Sequence, residues 1–482
     1  MKRYIIPLLL LLVTVSCQKG TEAFGDLPSA VWPDIDGVTI PHNIAPLNFC
    51  IADPALHNAK VTACGGDVFK RTLTVRARHG QVSFPVRRWH RLLKACWMDY
   101  TTGGQLTITV EDSLTLTLHV AGPVDDYVTY RKMAPGYEVY SHIGIYQRRL
   151  SDFREDPILE STALPGQCMG CHTANRTSPD QFMFHIRGQH GGTLVQNNGK
   201  REWLTTKTDS TIGNVAYTAW HPSGRYFAGS INPVRQAFWT GKEHLIEVFD
   251  LASDIVVMDM DTHELILSPL LMSPLRETTP VFSADGNAIY FCRAGEEQLL
   301  SELPNLRYEL CRIAFNAETG SIGDCVEVVL TDSLHSFTFP RTSFDGRWLM
   351  YCRTDFSCFP IDHKEADLWL LDLQTGVTRP LDEVNSPCSE SFHNWSSDNH
   401  WFLFSSRRED GLHGRLYMAH IDDDGQVSKP FLLPQRNPRQ YYNDCFYSFN
   451  VPDFSSGRVR FDARSAYREV FSDERVQAGV RP

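Results

Sequence analysis

Four stretches in the second half of the chain share one pattern, and that repetition restricts the fold more than any other feature. Ala219–Ala228, Val281–Phe291, Thr342–Tyr351 and Asn394–Phe404 each end a strand near an aromatic residue. A tight turn of Ser-x-Asp-Gly type or a close variant follows, and an apolar strand then returns. Asp caps such a turn through its side chain, while Gly supplies the positive φ. Second hairpins lie between the copies, as in Asp367–Arg379. Two hairpins per copy make a four-stranded blade, and a spacing of roughly 50 to 60 residues predicts a β-propeller with insertions. Asp285, Asp345 and Asp398 are accordingly read as turn residues. Phe182–Ile186 with Gly191–Val195 reads as an earlier, degenerate hairpin, and Tyr441–Pro452 as the segment that closes the ring of about five to seven blades.

The segment before the repeats is also β in pattern. Apolar residues alternate in Thr72–Ala77, Gln105–Val110 and Leu114–Val120, and the last two runs are joined by Glu111-Asp112-Ser113, a hairpin-length turn. A small antiparallel sandwich is the economical reading. Between Pro123 and Gly166 the alternation fails. Tyrosines crowd there, Pro135-Gly136 marks a turn, and one short helix is expected near Ile145–Phe153. The expected organisation is therefore all-β. Residues 1–16 form a signal peptide, 17–122 a β-sandwich-like domain, 123–181 a linker, 182–454 the propeller and 455–482 a tail.

The first residues set the compartment. Lys2 and Arg3 precede an apolar run, Tyr4–Val15, of secretory rather than membrane-spanning length. Cys17 stands where that run stops, after Thr14-Val15-Ser16, which resembles the lipobox of bacterial lipoproteins. The resemblance implies acylation of Cys17 and a membrane anchor in the cell envelope, facing the periplasm or the cell surface. A net charge of −11 with scattered Lys and Arg argues against a nucleic-acid partner. Thirteen cysteines suit an oxidising compartment. Setting Cys17, Cys168 and Cys171 apart leaves ten, enough for up to five disulfides. Cys292 and Cys352 occupy the same place in successive repeats, where buried thiols are as reasonable as bridges.

Cys168-Met169-Gly170-Cys171-His172 is the one motif that carries chemistry. Two thiols at this spacing suit addition to the two vinyl groups along one haem edge, and the following His then serves as proximal iron ligand. Export meets the requirement that such attachment occur outside the cytoplasm. A thioredoxin-like pair would need a βαβ setting, and a zinc site a second ligand pair. One covalent haem c is thus expected, on a loop between the two domains, with Cys168, Cys171 and His172 as its residues. The sixth iron ligand stays open among His190, His185, Met183, His142 and His221. His190 is favoured because Gly188–Gly192 reads as a flexible loop.

The repeats resemble the TolB-type propellers, whose blades carry a P-x-F-S-P-D-G turn, over about Phe182–Phe454. Most of the mature chain resembles Bacteroidetes-type exported lipoproteins that join a β domain, one C-x-x-C-H and such a propeller. That likeness rests on Ile44–Phe49, Pro135–Tyr137, Gly144–Gln147, Cys168–His172, Arg187-Gly188, Gly191–Thr193 and Ala219–Gly224. It implies an envelope location and a covalent haem, and the function expected on that basis is a mono-haem electron carrier that uses the propeller to dock a redox partner. The alternatives are a non-enzymatic envelope propeller binding a protein or glycan, with structural or absent haem, and a haem enzyme with open iron. No Ser-His-Asp order, phosphate loop or carboxylate pair supports a hydrolase or transferase. Mass spectrometry of the mature protein is expected to find residues 1–16 removed and Cys17 acylated. An intact N-terminus or an unmodified Cys17 would contradict the anchor.

Overall fold

The Ser-x-Asp-Gly segments form the turns that the sequence demands. In the computed structural model, which describes residues 29–66, 70–98, 104–134, 142–238, 246–295, 305–472 and 474–481, Asp285 Oδ1 accepts bonds from Ser283 Oγ (2.5 Å) and the Asn287 amide (3.0 Å). Asp345 repeats this with Ser343 and the Arg347 amide, and Asp398 with Ser396 and the His400 amide. Gly286 and Gly346 take φ of 77°, and Asn399, where the fourth copy lacks glycine, takes 65°. Asn tolerates this left-handed conformation better than most residues. These aspartates bond within their own turns.

Six four-stranded antiparallel units surround one axis. The first blade pairs Cys168–Ala174, Gln181–Arg187, Gly192–Asn197 and Lys200–Thr205 in that order. The second uses Ala216–Trp220, Tyr226–Ile231, Asp254–Asp259 and Glu264–Ile266. Blades three, four and five begin at Arg276–Phe282, Ser336–Thr342 and Glu390–Trp395. In the sixth, Ser448–Ser455 is innermost and pairs antiparallel with Tyr127–Met133, followed by Ile143–Arg149 and Glu155–Glu160. The six innermost strands contact one another in ring order, so a late strand and three early ones complete the circle. Six lies within the expected range.

Several segments differ from expectation. The stretch read as a linker supplies three strands of blade six and the innermost strand of blade one. Where a helix was expected near Ile145, the chain is extended over Ile143–Arg149, with Ile143 and Ile145 buried. β-Branched residues at alternate positions favour that state over a helix. The C-x-x-C-H segment is likewise a strand and not a loop. The C-terminal segment holds the helix Ala463–Val470, and its short strands Val476–Gln477 and Gly479–Val480 add in parallel to the outer edges of blades one and two. Both additions cover backbone groups that an edge would otherwise expose. Pro135–Tyr137 and Cys17 lie outside the described residues.

The N-terminal part builds a five-stranded sheet in the order Thr39–Pro41, Leu114–Ala121, Gln105–Val110, Lys60–Gly65, Arg71–Arg76, alongside a separate three-stranded sheet. The hairpin expected around Glu111–Ser113 is present. A helix that the alternating pattern did not announce, Val86–Trp97, packs Trp89, Leu92, Leu93 and Cys96 into the core. That core runs on without a break into Trp401, Leu403, Met418 and Phe449 of blades five and six. None of the described helices is long and apolar enough to cross a membrane.

The turn geometry has a measurable consequence. A Cβ at Gly286 would meet His221 Nε2 at 2.1 Å, whereas one at Gly37, also left-handed at 76°, meets nothing within 4 Å. Gly37→Ala is expected to cost about 1 kcal/mol from backbone strain alone, and Gly286→Ala about 2 to 4 kcal/mol, read from urea unfolding. Equal costs would mean that the blade-two to blade-three contact at His221 is absent.

Candidate functional site

The innermost strands share an irregularity that places the C-x-x-C-H segment. The first turn residue donates its amide back across each hairpin: His221 to Tyr226, Ser283 to Ala288, Ser343 to Trp348, Ser396 to Trp401 and Asn175 to Gln181. Four positions earlier the ladder skips a residue, and the residue there has positive φ: Tyr217 (25°), Thr279 (48°), Phe339 (51°) and Phe392 (51°). Val451 (47°) occupies the same place on the closing strand. Such φ values are costly for β-branched and aromatic residues and persist only where surrounding packing enforces them. Tyr217, Phe339, Phe392 and Val451 share one apolar cluster with Phe359 and Ile361, so aromatic side chains fill the axis. Phe339 lies 4.8 Å from Phe392 and 6.3 Å from Tyr217, ring centre to ring centre.

Cys171 stands at this register position in blade one. Around it Met169 pairs with Ile186 and His172 with Phe184, so the strand carries the same extra residue. His172 therefore corresponds to Thr218, Pro280, Pro340, His393 and Pro452. The extra residue also reverses the alternation of faces. Cys168 pairs with Arg187 and His172 with Phe184, which stand three apart on a regular strand and so project to opposite faces.

His172 is buried, with Nε2 3.2 Å from Thr129 Oγ1 and its ring 5.8 Å from Phe182. The Thr129 hydroxyl donates to the Asp453 carbonyl, so Nε2–H is assigned as donor to Thr129. Nδ1 is enclosed and has no partner. Burial, reinforced by Arg131, lowers its pKa to about 3 and keeps the imidazole neutral. Haem c needs both thiols and the imidazole to converge on one porphyrin, with a ring nitrogen facing the iron. The strand as folded separates Cys168 from His172, and neither nitrogen of His172 faces open space. These residues, so arranged, do not fit the group.

The other iron-ligand candidates are dispersed. His190 lies 5.0 Å from Phe471, with Nδ1 3.4 Å from Arg475. Met183 is buried among Val195, Leu204 and Trp220. His185 is buried and, for that reason first, has its pKa lowered to about 3. His142 bonds Tyr146, and His221 bonds Ser223 and the Gly286 carbonyl. No group of three or more metal-ligating side chains is gathered among the described residues. Among the described cysteines, Cys50, Cys64, Cys292, Cys311, Cys325, Cys352, Cys358, Cys388 and Cys445 are free thiols rather than disulfides. Burial pushes Cys292 up to about 12, and it pushes Cys352 up as well.

A second polar assembly, which the repeats did not reveal, closes one end of the axis. The hairpin Val234–Phe238 and Ile246–Asp250 interrupts blade two and reaches the 355–366 loop of blade four. There Glu247 Oε1 lies 2.9 Å from His363 Nε2, and Glu365 Oε1 3.0 Å from His363 Nδ1. Burial alone would lower the His363 pKa, but the two carboxylates overcome it and raise it to about 9. Cys358 Sγ donates to Asp250 Oδ2 at 3.2 Å. The same loop delivers Phe359 and Ile361 to the axis. Its sequence signal is faint: Asp362-His363-Lys364-Glu365 reads as an ordinary polar loop.

No family model matches the chain, and no curated protein does. Among solved structures it is similar to TolB from Acinetobacter baumannii, at 14% identity over 72% of this chain and 78% of that one, with a TM-score of 0.42. It is also similar to a chain of a nidogen/laminin complex (10% identity, 67% and 97%, TM-score 0.40). A further likeness is to an oligogalacturonate lyase in complex with manganese (10%, 64% and 73%, 0.38). The propeller assignment rests on the strand pairing described above.

The Glu247–His363 contact makes a prediction of its own. In His363→Gln the clasp is expected to loosen, so that Cys358 reacts with a thiol reagent at least about tenfold faster while Cys352, inside a blade strand, stays protected. Unchanged labelling of Cys358 would show that the ion pair does not hold the loop.

Proposed function

We propose that this chain is an envelope binding scaffold, a six-bladed propeller whose C-x-x-C-H segment serves as the innermost strand of blade one and not as a haem-attachment site. The observation that carries this reading is the register: Cys168 and His172 project to opposite faces, and His172 Nε2 is engaged by Thr129. The aromatic filling of the axis supports it, because it fits a rigid support for loops better than a passage for substrate. Such a scaffold presents its loops to an envelope protein or glycan, anchored through Cys17.

The competing proposal is covalent haem c on Cys168 and Cys171, with His172 on the iron and an electron-transfer partner docked on the propeller. It rests on the motif's spacing and requires the strand to leave the blade. Protein exported from a host with a c-type maturation system decides between them. The scaffold reading expects a colourless product with no thioether bond at Cys168 or Cys171. Haem that remains attached after denaturation would overturn it.

A further inference from the structure

The helix Val86–Trp97 carries an electrostatic arrangement that its own stability does not explain. Arg87, Arg88, Arg91 and Lys94 are exposed on one stripe, and the helix contains no acidic residue. Arg87 and Arg88 sit in the first turn, at the positive end of the helix dipole, where cations are unfavourable. Arg87 and Arg91 stand four apart and repel each other. Among the described residues, none of the four forms an ion pair, although the chain as a whole carries a net charge of −11. At the end of the stripe Trp97 and Met98 remain 42% and 45% exposed, and the Trp97 ring is held flat against His42 at 4.3 Å.

We propose that this face docks on an anionic phospholipid surface, the four cations meeting headgroup phosphates and Trp97 with Met98 entering the interfacial layer. The buried face, with Trp89, Leu92, Leu93 and Cys96, stays in the domain core, so the helix touches the bilayer without inserting along its length. Anionic lipid supplies the counter-charge that the fold withholds, and an indole edge favours the boundary between headgroups and chains. The eleven residues between Cys17 and Ser29 span up to about 40 Å when extended, enough for an acyl anchor and this face to act together. The proposal does not depend on that anchor.

The test uses residues 18–482 without acyl groups, which retain every described element, and vesicles of phosphatidylcholine with or without about 30 mol% phosphatidylglycerol. Cosedimentation is expected only with the anionic vesicles at low salt, and to be lost at about 0.5 M salt. Arg87→Glu with Arg91→Glu and Lys94→Glu should weaken binding about 100-fold. Thermal stability should hold or rise, since Glu at position 87 suits the helix start. If that triple variant misfolds, Arg88→Gln with Trp97→Phe serves instead and should weaken binding about tenfold. Equal sedimentation with both vesicle types, unchanged binding by a folded variant, or binding only to a soluble polyanion such as dextran sulfate would overturn the proposal. A natural product found unacylated at Cys17 would leave it standing, so the anchor and this surface fail separately.

Discussion

The antiparallel pairing of Ser448–Ser455 with Tyr127–Met133 holds the molecule closed. It joins residues more than three hundred positions apart, Phe454 opposite Val128 for example, and contacts of such separation form late because the loop entropy is lost first. Side chains of the closing strand then lock its neighbours. Asp453 accepts the Ala174 amide of blade one at 3.0 Å and the Asn394 side-chain amide of blade five at 2.8 Å. Burial raises its pKa to about 7. Thr129, on the strand beside it, contacts His172. The C-x-x-C-H strand is therefore fastened by the same residues that close the ring, and releasing it would open the propeller.

Closure also explains the strained residues around the axis. Six inner strands must turn their backbones toward one line, and the extra residue in each supplies the bend. Three of the described strained positions carry aromatic rings that meet there, so the packing they gain offsets the cost of positive φ. The clasp from blade two to blade four then seals one end by charge, with His363 held between two carboxylates. A buried pair of this kind specifies one arrangement more than it stabilises the fold.

Much of the fold was legible in the sequence. The four turns, the hairpin at Glu111–Ser113 and the all-β class follow from period-two patterning and from Ser, Asp and Gly chemistry. The blade built from Tyr127–Glu160 was not legible, because it lacks the turn motif and its innermost strand lies at the other end of the chain. Helix Val86–Trp97 escaped notice because an alternation search ignores a three-to-four residue spacing. The site was less legible for a different reason. A C-x-x-C-H spacing implies convergence only when the segment coils, and an extended strand with one extra residue sends its groups apart. A signal was present: Thr279-Pro280, Phe339-Pro340 and Val451-Pro452 recur four residues before each turn, and Cys171-His172 falls in the same column.

The central claim, that Cys168–Ala174 is the innermost strand of a closed propeller, is tested most directly by amide hydrogen exchange across the whole chain. The account predicts that backbone amides of Met169–Thr173 are protected to the same degree as those of Ala216–Trp220 and Ser336–Thr342, and open only with the global unfolding of the ring. Exchange of Met169–Thr173 at the rate of exposed turns such as Asp422–Gly425, with the other inner strands still protected, would contradict it.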